Sequence, residues 1–148
     1  MHRISTKLSL PLAVAALAAA SAPAAEAAVP NTGVWRGDLV HQLTIGFEYK
    51  STMVITAYKA RIQSVVASVR MECGTTDAPE SYGVRDVRVL QSWRTGRGPR
   101  VSTRGTYAFR ADGAYFQGRL SRSSAIGGAG ATYGEDCHGT GRHNLQRR

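Results

Sequence analysis

An all-β fold, about eight antiparallel strands in one small barrel or sandwich, is the class this sequence predicts, and three observations carry it. Short segments rich in β-branched and aromatic residues recur from Val34 to the chain end, separated by clusters of glycine, proline, aspartate and serine. None of them has the apolar period of a helix. The longest, Arg61 to Cys73, alternates from Val65 onward: Val65, Ala67, Val69, Met71 and Cys73 are apolar, whereas Ser68, Arg70 and Glu72 are polar. That is the pattern of a strand with one face in a core.

The first 27 residues are predicted to be a secretory signal peptide rather than part of the fold. Arg3 and Lys7 precede an alanine-rich apolar run from Leu8 to Ala20, and Ala25-Glu26-Ala27 has the small-x-small form of a cleavage site. Pro11 interrupts the run and Pro23 follows it, and it is short for a membrane anchor. Cleavage after Ala27 leaves a single β-domain, 28–148, in a secreted or extracytoplasmic protein. Nineteen basic and ten acidic residues become 17 and 9 once Arg3, Lys7 and Glu26 are gone, a formal charge of +8. Arginine supplies nearly all of the positive charge, since Lys50 and Lys59 are then the only lysines. In an oxidising compartment the two cysteines, Cys73 and Cys137, are expected to form one disulfide.

In chain order, Asn31-Thr32-Gly33 is a turn and Val34 to Leu39 a first strand. Leu43 to Tyr49 and Ser51 to Tyr58 read as extended by composition. Lys59-Ala60 then turns the chain into Arg61 to Cys73, without the glycine or asparagine that a two-residue hairpin prefers. Ile62 and Val65 are both apolar but of opposite parity, which a β-bulge near Ser64 reconciles. Gly74 to Ser81 is a polar loop, Tyr82 to Leu90 a strand, and Trp93 to Arg100 a break, because Gly96, Gly98 and Pro99 cannot continue a ladder. Asp112-Gly113 marks a hairpin that pairs Arg110 with Tyr115, Phe109 with Phe116, Ala108 with Gln117 and Tyr107 with Gly118. Ala125 to Tyr133 is a glycine-rich bent strand, and Glu135 to Leu145 the last one.

Several of these features together resemble a group of small exported bacterial β-proteins of uncharacterised function with one disulfide. They are the first strand Val34-Trp35-Arg36-Gly37, the long strand ending in Cys73, the hairpin Gly105-Thr-Tyr-Ala-Phe109 with Phe116-Gln-Gly118, and the terminal Cys137-His-Gly-Thr-Gly141. The resemblance implies fold and export, and no catalytic residues. Arg142-His143-Asn144 stands where that group carries an apolar-aromatic pair. Gly33-Val34-Trp35 also resembles the Gly-x-Trp of calycins, which would imply a closed barrel around a small apolar ligand, with room supplied by Gly118, Gly127, Gly128, Gly130, Ala129 and Ala131.

For function, the arginines stand out. Arg94, Arg97, Arg100 and Arg104 surround the Gly-Pro loop, and guanidinium groups in a cluster bind phosphate, sulfate or carboxylate. The expected function is therefore non-catalytic binding, with an anionic polymer or a cell-envelope component as partner. No cofactor is called for. Glu135, Asp136, His138 and His143 lie close in sequence, but the two histidines have opposite strand parity, so they read as exposed residues rather than metal ligands. A weak hydrolase would need Asp38, Glu48, Glu72 or Asp86 to converge, or a serine to meet His41, His138 or His143.

Overall fold

The computed structural model describes residues 32–74 and 82–148; the expected leader and most of the polar loop before Tyr82 lie outside the described residues. Eight strands follow one another: β1 (Gly33–Gln42), β2 (Glu48–Tyr58), β3 (Arg61–Cys73), β4 (Gly83–Ser92), β5 (Thr106–Ala111), β6 (Ala114–Leu120), β7 (Ser124–Tyr133) and β8 (Cys137–Arg147). They form one antiparallel sheet in the order β4-β3-β2-β1-β8-β7-β6-β5, with a second seam between β3 and β8. The sheet coils until it partly closes.

Inward positions alternate as the pattern of β3 required. Val65, Ala67, Val69 and Met71 are buried and meet Trp35, Leu39, Met53, Ile55, Phe116, Leu120 and Leu145 in one core. Trp35 is fully buried, and its indole N–H donates to Ser121 O at 3.3 Å. The hairpin of β5 and β6 has the expected register throughout, Tyr107 opposite Gly118 included. On the unsealed side, Trp93 meets Phe109 edge-on at 5.6 Å, Arg85 lies 4.0 Å from the Tyr133 ring, and Leu90 N–H donates to the Asp112 carboxylate at 3.1 Å.

The β3 seam explains two residue choices. Along β3 the odd residues pair with β4, so the even backbone groups face β2 at one end and β8 at the other. Between Val66, which pairs with β2, and Glu72, which pairs with β8, no strand among the described residues pairs with this side of β3. Side chains fill the interval. Ser51 O–H donates to Ser68 O at 2.7 Å, and Arg70 N–H donates to His41 Nε2 at 3.4 Å. Cys73 and Cys137 then close the seam as a disulfide between directly paired residues. Gly139 permits the close approach, since a Cβ there would stand 2.0 Å from Arg70 O.

One expected strand is different. Leu43 to Phe47 is a turn closed by Leu43 N–H to Phe47 O and Gly46 N–H to Leu43 O, both 2.9 Å, and β2 begins only at Glu48. Gly46 has φ of 86°, a conformation that ends the ladder whatever the β-propensity of its neighbours.

The bulge lies at Gln63, between the pairs Ala57 with Ile62 and Thr56 with Ser64. The turn before it is a primed hairpin turn built from unfavourable residues, Lys59 at φ 49° and Ala60 at φ 58°. A non-glycine residue in the left-handed region costs about 1–2 kcal/mol. Lys59→Asn with Ala60→Gly keeps both backbone groups that the turn uses, so the double variant should be more stable by about 1 kcal/mol, read as a raised urea midpoint. A midpoint at or below that of the parent would show that the turn is not strained.

Candidate functional site: the arginine-bearing end of the sheet

Strand order, more than any local motif, assembles the candidate site. All neighbours are antiparallel, so the Lys59-Ala60 turn, the connection from Trp93 to Gly105, the turn at Ser121 to Ser123 and the C-terminus meet at one end. Hydrogen bonds across these segments hold them together: Val101 N–H to Ala60 O, Leu120 N–H to Gly105 O, Arg147 N–H to Ser123 O, each between 2.7 and 2.9 Å. The turns at this end carry Lys59, Arg94, Arg97, Arg100, Arg104 and Arg122 and not one acidic residue. Acidic side chains lie at the other end in Glu48, Glu72, Glu135 and Asp136, whereas Asp112 reaches Leu90 N–H of β4.

Arg94, Arg97, Arg100 and Arg104 are all exposed. Two ion pairs occur among the described residues, Lys50 with Glu48 and Arg70 with Asp86, and neither involves these four. Their loop is fixed, however. Ile62 N–H donates to Pro99 O at 2.8 Å, the Arg61 guanidinium donates to Gly98 O at 2.8 Å, and Arg100 bridges to Arg61. Gly98 lies so close to β3 that a Cβ would fall 1.6 Å from Ile62 O. Trp93 on one side and buried Val101 on the other anchor the loop to the core. Arg119, beside it on β6, donates to Arg104 O at 2.9 Å. Four guanidinium groups thus stand in water on a backbone that cannot drift, which lowers the entropy lost on binding.

The opposite end is polar and internally satisfied. Arg70 forks onto Asp86 with two 2.8 Å hydrogen bonds and lies 3.4 Å above the Tyr49 ring. Its hydrogen bond holds the Asp86 carboxyl below the usual carboxylate range. Glu72 accepts from Thr44 N–H and Thr44 O–H at 2.8 Å and from Tyr82 O–H at 2.7 Å; burial alone would raise its pKa, but these donors lower it. Of the carboxylates considered for hydrolysis, Glu72 and Asp86 are therefore committed, Glu72 to the Thr44 turn and Tyr82, and Asp86 to Arg70 across β3 and β4. The polar side of β3, which as a sequence looks merely solvated, carries hydrogen bonds to Thr44, Tyr82 and Asp86.

His143 corrects the expectation of an exposed histidine, because it is buried on an inward position, as His41 also is. His41 Nδ1–H donates to Thr140 O at 3.1 Å and Nε2 accepts from Arg70 N–H. His143 Nδ1–H donates to Ala125 O at 3.2 Å and Nε2 accepts from Tyr107 O–H at 2.9 Å. Neither ring has a nitrogen to spare for a substrate or a metal. No group of three or more His, Cys, Asp or Glu among the described residues is placed to hold a metal ion.

Desolvation by burial lowers both histidine pKa values from the ordinary 6.5. The unfolded chain then binds more protons than the folded one below that value, so stability rises with pH through this window. The contribution is complete above 6.5 and fades as the pH falls towards the depressed folded values. The urea midpoint should decline between about pH 7 and pH 5.5, ahead of any loss from Asp86 and Glu72, whose lowered pKa values matter only in stronger acid. Tyr107→Phe with His143→Leu removes both partners of one pair and should flatten part of that slope. A parent protein with the same midpoint at both pH values would contradict this.

The small residues that a calycin-like interior would need are otherwise employed. The Tyr107 ring covers Gly118 and the Tyr115 ring covers Gly130, each within 3 Å of where a Cβ would be, and Ala129 and Ala131 are packed in the core. One concavity, about 1070 Å³, has a mixed lining, with Gln42, Glu48, Gln117, Thr140 and Arg142 beside Val40, Tyr107, Ala108 and Tyr115. No protein-family model matches the chain, and no curated protein or solved structure is significantly similar to it.

Proposed function

We propose that this protein is a secreted, non-catalytic module that binds an anionic polymer of a surface or envelope through its arginine-bearing end. One observation carries the reading: the turns at that end bring Arg94, Arg97, Arg100 and Arg104 together with Lys59 and Arg122, and carry no acidic residue. Four exposed guanidinium groups that form no ion pair among the described residues suit the bidentate recognition of phosphate or sulfate. A field of one sign speeds the encounter with a charged chain. The commitment of both buried histidines and of Asp86 and Glu72 to structural hydrogen bonds supports binding over hydrolysis.

The test is binding to long-chain polyphosphate across a salt series. Affinity should fall steeply with salt, because each neutralised phosphate releases a counterion. Arg97→Ala with Arg100→Ala should weaken binding about tenfold or more at low salt and reduce the log–log salt slope by roughly 1.4–1.8, at 0.7–0.9 per contact. Binding equal to the parent in the double variant, or insensitive to salt, would sink the proposal.

A further inference from the structure

The edge strand β4 is the most exposed of the long strands, and its sequence is complementary to itself. Among the described residues β4 has a strand partner only on the β3 side. Its odd residues bond to β3, as the 2.8 Å bond from Trp93 N–H to Gln63 O confirms at the strand end, so the N–H and C=O groups of Val84, Asp86, Arg88 and Leu90 face outward. The side chains of the same four residues lie on the outer face and are exposed. An antiparallel pair of two β4 strands about a twofold axis at Val87 would match these groups hydrogen bond to hydrogen bond. In that register Asp86, which already accepts two hydrogen bonds from Arg70 of its own chain, faces Arg88 of the second copy, and Val84 faces Leu90. Shifting the axis to Asp86 or Arg88 instead sets like charges opposite each other, which cross-strand pairs disfavour. Leu90, with 78% of its surface exposed, meets an apolar partner, Val84, in the register at Val87.

We infer that β4 is a self-association edge, joining two copies of this chain into one continuous sheet centred on Val87. Asp112 holds Leu90 N–H and so competes for the outermost bonds, whereas those of Asp86 and Arg88 at the centre are clear of it. Antiparallel pairing places the two arginine-bearing ends at opposite poles. If the proposed polymer binding holds, the dimer would bridge two polymer segments; the association itself does not depend on that reading.

The experiment is sedimentation of the full chain without polymer over a concentration series, with near-UV circular dichroism as the check on folding. The parent should pass from one-chain to two-chain mass. Arg88→Asp alone and Asp86→Lys alone each put like charges in register and should remain at one-chain mass at concentrations where the parent is paired. An equimolar mixture of the two variants restores opposite charges at both positions and should regain the two-chain mass. A parent that stays monomeric throughout overturns the inference. So does pairing that survives Arg88→Asp, or a mixture of folded variants that fails to associate.

Discussion

Replacing Cys73 and Cys137 together by serine is expected to cost about 4 kcal/mol, close to the chain-entropy value for a loop of this length. The bond closes a sequence separation of 64 residues. It also sits where the sheet is least able to close itself. The β3–β8 seam has only the pairs Glu72 with His138 and Cys73 with Cys137, and beyond them β3 relies on His41 and Ser51 side chains in place of a strand. Without the bond, Arg70 N–H and Ser68 O lose the geometry that keeps those side chains over them. The same seam positions Gly74, whose N–H donates to Asp136 O at 3.1 Å. Denaturant unfolding should show the full loss, and the melting temperature should fall by about 15 °C for a domain of this size. A change below about 1 kcal/mol would mean that the seam holds without the bond.

What could be read in the sequence was local, and what could not was the order in which strands meet. Asp112-Gly113 fixes a two-residue turn, and from it the whole register of β5 and β6 follows. The parity conflict between Ile62 and Val65 located the bulge within one residue, because both side chains must reach the same core. Leu43 to Phe47 misled because β-branched composition carries no information about φ, and Gly46 decides the turn. The histidines were legible in principle. His41 shares parity with Trp35 and Leu39, and His143 with Leu145, so each occupies an inward position that alternation alone would have shown. His143 thus fills from within the site where an apolar residue was expected. The arginine cluster was visible as a loop, but its merger with Lys59 and Arg122 follows from the pairing of distant strands, which no local period encodes.

Gly98→Ala should be the most damaging single substitution in the candidate site, although it removes no charge. A Cβ at position 98 would lie 1.6 Å from Ile62 O and 2.9 Å from Ile62 C, both backbone atoms of β3, so no rotamer change relieves the overlap. The loop or the start of β3 must move. Either movement breaks Ile62 N–H to Pro99 O and Arg61 to Gly98 O, and puts the burial of Val101 at risk. Two lost hydrogen bonds, with a buried donor left unpaired, amount to about 3 kcal/mol. Two measurements separate the structural from the functional consequence. Stability should fall by that amount, while the salt slope of polyphosphate binding, set by the number of cations engaged, should shrink even though all four arginines remain. Arg97→Ala with Arg100→Ala should do the opposite, weakening binding with little change in the denaturation midpoint, since both side chains are exposed and form no ion pair among the described residues. If Gly98→Ala left both stability and slope at parental values, the loop would not be held against β3 in the way that gives its arginines a common direction.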